Sequence, residues 1–329
     1  MKVWVNGQVV DAREATVSVF DHGLTVGDGV FETAKVVRGV PFALSRHEGG
    51  GGMKVWVNGR VVGADQATVS VFDHGLTVGD GVFETAKVVG GLPFALSRHL
   101  ERLALSAAGL ALPVPDEAVV RSAVAETLTA NAEELGETLR LRITVTGGTS
   151  PLGSDRGDAG TTMVVALAPA TRWPASAKVV VVPWVRNQRA PSAGVKTTSY
   201  ADNVVALAHA KAAGGSEAVF ANTVGNLCEG TGTNVFVVRD GVVSTPPLTS
   251  GCLAGVTRSL LLEWADVVEE DLPVGVLTEA DEVLLTSSTR DVQSVHAVGD
   301  HTVAGGAPGP VTERLAAVFA ERSAADVDP

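Results

Sequence analysis

The sequence predicts an α+β chain of two domains. Three observations carry that expectation. Short runs alternate apolar and polar residues with period two, as half-buried strands do. Other runs repeat apolar residues at helical spacing, without a strict strand–helix–strand rhythm. A proline-bearing stretch, APATRWPAS, interrupts the pattern midway. The expected divisions are a partial duplicate with a glycine linker at 1–52, a small α+β domain at 53–167, a linker at 168–176 and a larger domain at 177–329.

The elements follow in order. KVWVNGRVV sets Asn-Gly between two β-branched runs, the signature of a tight hairpin. GVFETAKVVGGLPFAL reads as two strands around Gly90-Gly91. SRHLERLALSAAGL places Leu100, Leu103 and Leu110 near helical spacing, and a second helix is expected over about 116–135. In TLRLRITVTGG, Leu139, Leu141 and Ile143 share one face, with Arg140, Arg142 and Thr144 on the other. TTMVVALAP is a further strand. After the linker come the strand AKVVVVPWV and a helix over YADNVVALAHAKAAGG, closed by Gly214-Gly215. Short strands with Gly-Asn and Asp-Gly turns follow. GVTRSLLLEWA is a helix, DEVLLTSS a strand and PVTERLAAVFAER a last helix.

The amino-terminal region is repeated. Residues 1–47 match 53–99 with six differences, and Glu48 and four glycines lie between the copies. Only the second copy runs on into LERL. The first is therefore expected to be a domain fragment, strands without the helices that should cover them. It could be a disordered appendage, a strand set docked on a sheet edge, or a competitor for the second copy's place. The second copy has the shorter loop to close and is expected to hold the native position.

Composition narrows the function. An apolar content of 45% allows a sizeable core. A net charge of −12 and a pI near 5.0 disfavour nucleic acid or an anionic membrane as partner. Cys228 and Cys252 are too few for a disulfide framework or a zinc site. No window approaches the roughly 18 apolar residues of a membrane helix, and no secretory leader is apparent, so the expected compartment is the cytoplasm. Phosphate-loop, dinucleotide, nucleophile-elbow and HExxH motifs are absent, and the seven histidines have no metal-ligand spacing.

Seven lysines against eighteen arginines make GVKTTSYADN conspicuous. Lys196 follows an apolar strand and precedes a helix, where partial desolvation would free its amine as a nucleophile. Gly255-Val256-Thr257 opens a helix, whose free amides favour a phosphate. TSSTR, ending in Ser288, Thr289 and Arg290, adds hydroxyls at a strand end. Glu229, between glycines and apolar strands, needs a partner such as a protonated pyridine nitrogen. Amine, hydroxyls, anion cup and carboxylate together suit pyridoxal 5′-phosphate.

On these residues, and on GDGVFET, HLERL, KTTSY, EGTGTNVF, TPP and GVTR in order, the sequence resembles the class IV aminotransferases. These are the fold-type IV pyridoxal-phosphate enzymes, which include D-amino-acid and branched-chain aminotransferases and 4-amino-4-deoxychorismate lyase. The resemblance spans residues 53–329 and implies a two-domain, D-amino-acid aminotransferase-like fold. It implies Lys196 as the Schiff-base lysine, Arg102 on the phosphate, Tyr200 on the phenolic oxygen and Glu229 on the ring nitrogen. Val256, Thr257, Ser288 and Thr289 complete the phosphate cup. Phe83, Thr85 and Lys87 line the substrate strand. Arg142 and Arg290 are the two candidates for a substrate carboxylate. The resemblance further implies a homodimer acting on an amino acid and a 2-oxo acid. Two departures bear on the reaction. Gly147, in TGGTSP, stands where D-amino-acid enzymes often carry an arginine trap, and Thr85 is lyase-like. The expected activity is amino transfer between a small amino acid, D-amino acids included, and a 2-oxo acid, with the lyase and the branched-chain aminotransferase as alternatives.

Overall fold

A computed structural model describes residues 2–27, 53–133, 138–170, 172–303 and 308–329. The first repeat contributes β1 (Lys2–Val5), β2 (Gln8–Asp11), β3 (Thr16–Ser18) and the short helix α1 (His22–Val26). The second contributes β4 (Lys54–Val57), β5 (Arg60–Gly63), β6 (Thr68–Ser70) and α2 (His74–Thr77). Both hairpins turn as the sequence predicts. Positive φ at Asn6 and Gly7 (49° and 89°) and at Asn58 and Gly59 (45° and 89°) matches the twist of the flanking strands. The first copy's GVFETAKVV and the glycine linker lie outside the described residues.

The chain continues through β7 (Gly81–Val89), β8 (Leu92–Pro93), α3 (Leu96–Gly109), α4 (Glu117–Ala130), β9 (Thr138–Thr146) and β10 (Thr162–Pro169). A six-stranded sheet runs β5-β4-β10-β9-β7-β8. β9 alternates as expected, with Leu139, Leu141 and Ile143 buried. The helix expected over 116–135 stops at Ala130. Asn131 is drawn to β4 instead: its Oδ1 accepts from Lys54 N at 2.6 Å, and its Nδ2 donates to Lys54 O at 2.9 Å. Residues 134–137 lie outside the described set. The strand after Gly90-Gly91 is only two residues long, because Pro93 is followed almost at once by α3.

The remaining elements are β11 (Ser176–Arg186), α5 (Ala201–Ala212), β12 (Glu217–Asn222), β13 (Leu227–Gly230), β14 (Asn234–Arg239), β15 (Val242–Thr245), α6 (Val256–Trp264), β16 (Val267–Glu269), β17 (Glu282–Ser287), β18 (Asp291–Val298), β19 (His301–Thr302) and α7 (Pro310–Ala325). Their sheet runs β13-β12-β11-β18-β17-β14-β15-β16, with β19 on β18. One face buries Val179, Val219, Val237 and Leu285, and another cluster joins Leu260 and Leu261 of α6 to Phe236 and Phe319.

The described chain groups into two compact units. The first takes residues up to Glu84, Arg102–Ala168 and Thr197–Ala201. The second takes Thr85–Glu101, Pro169–Lys196 and Asp202–Pro329. The second unit therefore ends one of its segments on Lys196, and the next five residues belong to the first.

Candidate active site

In the second unit, Glu229 is set on β13 opposite Phe220 of β12. Its side chain is 13% exposed. Oε2 accepts from the backbone N–H of Leu253 at 2.9 Å, and Oε1 lies 3.1 Å from Arg186 Nε at the end of β11. Burial pushes the Glu229 carboxyl above its ordinary value. The Arg186 charge, the Leu253 amide and the Lys196 charge pull it back only in part. Arg186 is itself held in place, stacked 4.3 Å over the Phe220 ring and donating to Asn203 Oδ1 at 3.1 Å.

Leu253 ties this carboxylate to the start of α6. Its carbonyl accepts from Asn234 Nδ2 and from Gly255 N, both at 2.8 Å. Gly255 caps α6 with no side-chain hydrogen bond, so the first-turn amides of Val256 and Thr257 have no cap from that residue. A Cβ here would stand 2.0 Å from Asn234 Oδ1, so any larger residue would have to push that amide aside. Ser288 follows β17, its Oγ 3.3 Å from Nε2 of the buried His99, and Thr289 is half-buried beside it. Thr286, two residues earlier on β17, has a buried Oγ1 without a hydrogen-bond partner.

Two substrate candidates of this unit are occupied. Lys87 Nζ donates to both oxygens of Asp291, at 2.6 and 2.7 Å. Arg290 does not offer an open fork: it donates to Glu217 at 2.9 Å and to Gln293 at 2.6 Å, and stacks 3.6 Å over Trp173. Thr85 is half-buried on β7. Cys228 and Cys252 are free thiols, both buried, and burial raises both above their ordinary value.

In the first unit, Arg102 donates from Nε and Nη2 to the two oxygens of the fully buried Glu84, at 2.8 and 2.7 Å. Burial opposes the Arg102 charge, but Glu84 outweighs it and the guanidinium is raised overall. The pair fixes the guanidinium plane. Phe83, one residue before Glu84, meets Tyr200 edge to face at 5.2 Å. Arg142 stacks over the same ring, its Cζ 3.3 Å from the Phe83 centroid. Its hydrogen-bond acceptors are neutral: Thr144 Oγ1 at 3.3 Å and the Thr25 carbonyl of the first repeat. Burial pushes Arg142 down to about 9, and Tyr200 and Glu84 offset this only partly.

Gly147 has a physical reason to be glycine. A Cβ there would stand 2.4 Å from Asp80 Oδ2. Asp80 is held towards it, because Arg156 donates to both its oxygens at 2.6 and 2.7 Å and His74 Nδ1 lies 3.3 Å away. Arg186, Glu84, His99 and the Thr25 carbonyl were not legible as site residues. Arg186 and Thr25 carry no local motif, and although Glu84 and His99 lie inside GDGVFET and HLERL, nothing local marks them as the partners of Arg102 and Ser288.

The amino-transferase class IV family matches residues 81–298. A protein of Methanocaldococcus jannaschii, provisionally named a branched-chain-amino-acid aminotransferase, is 33% identical over 81% of this chain and 95% of its own length. The D-alanine aminotransferase of Bacillus licheniformis is 30% identical over 80% of this chain and 94% of its own. A hypothetical aminotransferase of Mycobacterium tuberculosis, solved in its PLP-bound form, superposes with a TM-score of 0.73 at 26% identity, covering 81% of this chain and 97% of that one. All three are named as aminotransferases, which disfavours the lyase outcome suggested by Thr85.

Proposed function

The chain belongs to the class IV aminotransferases, and from that premise we propose that Lys196, Glu229 and the amino end of α6 hold its pyridoxal 5′-phosphate while Arg142 receives the carboxylate of a small α-amino acid. One observation carries the reading: Glu229 is a largely buried carboxylate, tied through Leu253 to the uncapped start of α6 and within the electrostatic reach of Lys196.

The residues fit the cofactor. A carboxylate whose charge burial disfavours is stabilised by a cationic ring nitrogen. A helix start without a side-chain cap, where Gly255 leaves no room for a Cβ, suits a phosphate. Arg102, its plane set by Glu84, is the further phosphate ligand, with Ser288 and Thr289. When bound, pyridoxal phosphate supplies a carbonyl for amine exchange and a ring that accepts the electron pair left by the departing α-proton.

The chain's own groups do the rest. Glu229, held in orientation by Leu253 and Arg186, keeps a proton on the ring nitrogen. Lys196 Nζ takes the proton from the substrate α-carbon and returns it, one residue from the segment that ends in Tyr200. Arg142 is the better carboxylate ligand of the two candidate arginines, because its acceptors are neutral oxygens and Arg290 is already paired with Glu217. An incoming carboxylate would stabilise the guanidinium charge that burial disfavours at Arg142. Gly147 supplies no arginine trap, so recognition of either enantiomer falls to Arg142.

The same reading takes the enzyme as cytoplasmic, and residues 53–329 as able to pair with a second copy. Two free cysteines accord with a reducing compartment. No helix among the described residues is long and apolar enough to cross a membrane. The test is a panel of L- and D-amino acids with 2-oxoglutarate, beside aminodeoxychorismate, on the cofactor-loaded protein. Oxo-acid release from small amino acids is expected. Release of p-aminobenzoate without amino transfer would overturn it.

A further inference from the structure

The two repeats meet each other about a local two-fold axis. β3 of the first pairs antiparallel with β6 of the second: Thr16 opposes Ser70, Val17 opposes Val69, and Ser18 opposes Thr68. With the repeat offset of 52, Val17 is the equivalent of Val69, Thr16 of Thr68 and Ser18 of Ser70. Each residue therefore faces the equivalent of the residue equally far on the other side of the centre. The flanking bonds are reciprocal as well. Val19 N donates to Ala67 O at 3.0 Å, and Val71 N donates to Ala15 O at 2.9 Å. Val19 and Val71, like Ala15 and Ala67, are equivalents. Beyond the strands, α1 and α2 meet, with Gly23 so close under Leu76 that a Cβ would approach it to 2.9 Å. Val19 and Leu24 are buried against Val55, Ala67 and Val69.

A self-complementary patch that meets its own copy in this register is the geometry of an isologous interface. The rest of the first repeat is what a fragment borrowed from another subunit would look like. Its hairpin β1–β2 stands as a separate two-stranded sheet with Val9 66% exposed, whereas the equivalent β4–β5 joins a six-stranded sheet. His22 is exposed, whereas its equivalent His74 is buried against Asp80 and Pro151.

The fragment also reaches the residues that follow Lys196. Val26 O accepts from Tyr200 N at 3.1 Å, and Thr25 O accepts from Arg142. From the other side, Gly79 O of the second repeat accepts from Thr198 Oγ1 at 3.0 Å and Ser199 Oγ at 2.8 Å. The segment 198–200 is thus gripped by equivalent loops of both repeats.

We infer that residues 2–27 stand in cis where the equivalent residues of a second copy of this chain would stand, so that the face built by β6 and α2 is a two-fold self-association surface masked within the full-length protein. This builds on the pairing proposed for residues 53–329, but not on the amino-transfer reading, and its test uses no activity readout. In the full-length chain, Val17→Cys with Val69→Cys places two thiols at directly opposed positions. After mild oxidation, a reducible intrachain disulfide on a chain of 33.7 kDa is expected. An exclusively interchain disulfide, or none, would overturn the inference. In sedimentation, Val17→Asp, which alters only the first repeat, should produce a concentration-dependent dimer absent from the wild type. Val17→Asp with Val69→Asp should abolish that dimer. A Val17→Asp chain that stays monomeric at every concentration, or a double variant that dimerises equally well, counts against a masked two-fold surface.

Discussion

Glu229 illustrates how a single side chain acquires a role from its surroundings. Glu229→Gln keeps the shape and can still accept from Leu253, but removes the charge. Cofactor content should stay near that of the wild type, while turnover falls on the order of 10²-fold, the scale of losing one preorganised electrostatic contact. Near-native turnover would remove Glu229 from the mechanism. The pH dependence has a definite sign. A carboxyl raised by burial contributes stability that is present below its ordinary value of 4.5 and lost as pH rises through the raised one. The melting temperature of cofactor-free protein should therefore fall across that window, with a smaller fall once cofactor is bound, and the Gln variant should flatten both curves. The two candidate arginines should separate cleanly. Arg142→Ala is expected to raise KM for amino acids about 10- to 100-fold, the scale of a lost hydrogen bond to a charged group, while sparing a carboxylate-free amine. Arg290→Ala strands the buried Glu217, so its expected effect is a loss of about 3–5 kcal/mol in stability without substrate selectivity. Denaturant titration and paired KM measurements decide between them. Lys196 and Glu229 stand out in the sequence as members of one set with Gly255-Val256-Thr257 and TSSTR, not singly. The engagement of Arg290 is not legible there, because its partner lies 73 residues away in the chain.

At the scale of the element, α6 matters for how it begins. Its start is fixed by Gly255, which must pass close to Asn234 while Asn234 holds the Leu253 carbonyl. Gly255→Ala should force that asparagine aside, costing about 1–3 kcal/mol in stability as overpacking does. Because Leu253 also donates to Glu229, the same change should weaken cofactor retention, measured by dialysis against buffer without pyridoxal phosphate. Unchanged retention in a folded variant would show that the α6 start does not set the cofactor's place. Periodicity made the long helices and strands legible, since burying one face is a local property of sequence. The four- and five-residue helices α2 and α1 offered no periodicity to read. Their only local signals were Asp73 and Asp21, which accept from Gly75 N and Gly23 N at 2.8 Å as N-caps. The early end of α4 was also hidden, because Asn131 is recruited by a strand 77 residues away.

For the whole molecule, the repeat was plain in the sequence, but its consequence was not. Nothing local says that a strand will meet its own duplicate about a two-fold axis; that depends on which surface the second copy leaves uncovered. With residues 2–27 in that place, the segment after Lys196 is held from both sides within one chain. Removing residues 1–52 should leave the same segment to be completed by a second copy. The two forms are therefore expected to differ in how their rates respond to dilution. Full-length protein, carrying its substitute partner in cis, should keep a constant rate per chain as it is diluted, since the effective concentration of a tethered fragment does not change. The shortened chain 53–329 should match that rate when concentrated. On dilution it should lose rate and yellow cofactor absorbance together, with a midpoint that tracks its dimer dissociation in sedimentation. If the shortened chain keeps its rate as a monomer, neither copy's loop is needed to order residues 198–200. If the full-length rate falls on dilution as steeply as that of the shortened chain, the first repeat does not serve as a partner in cis.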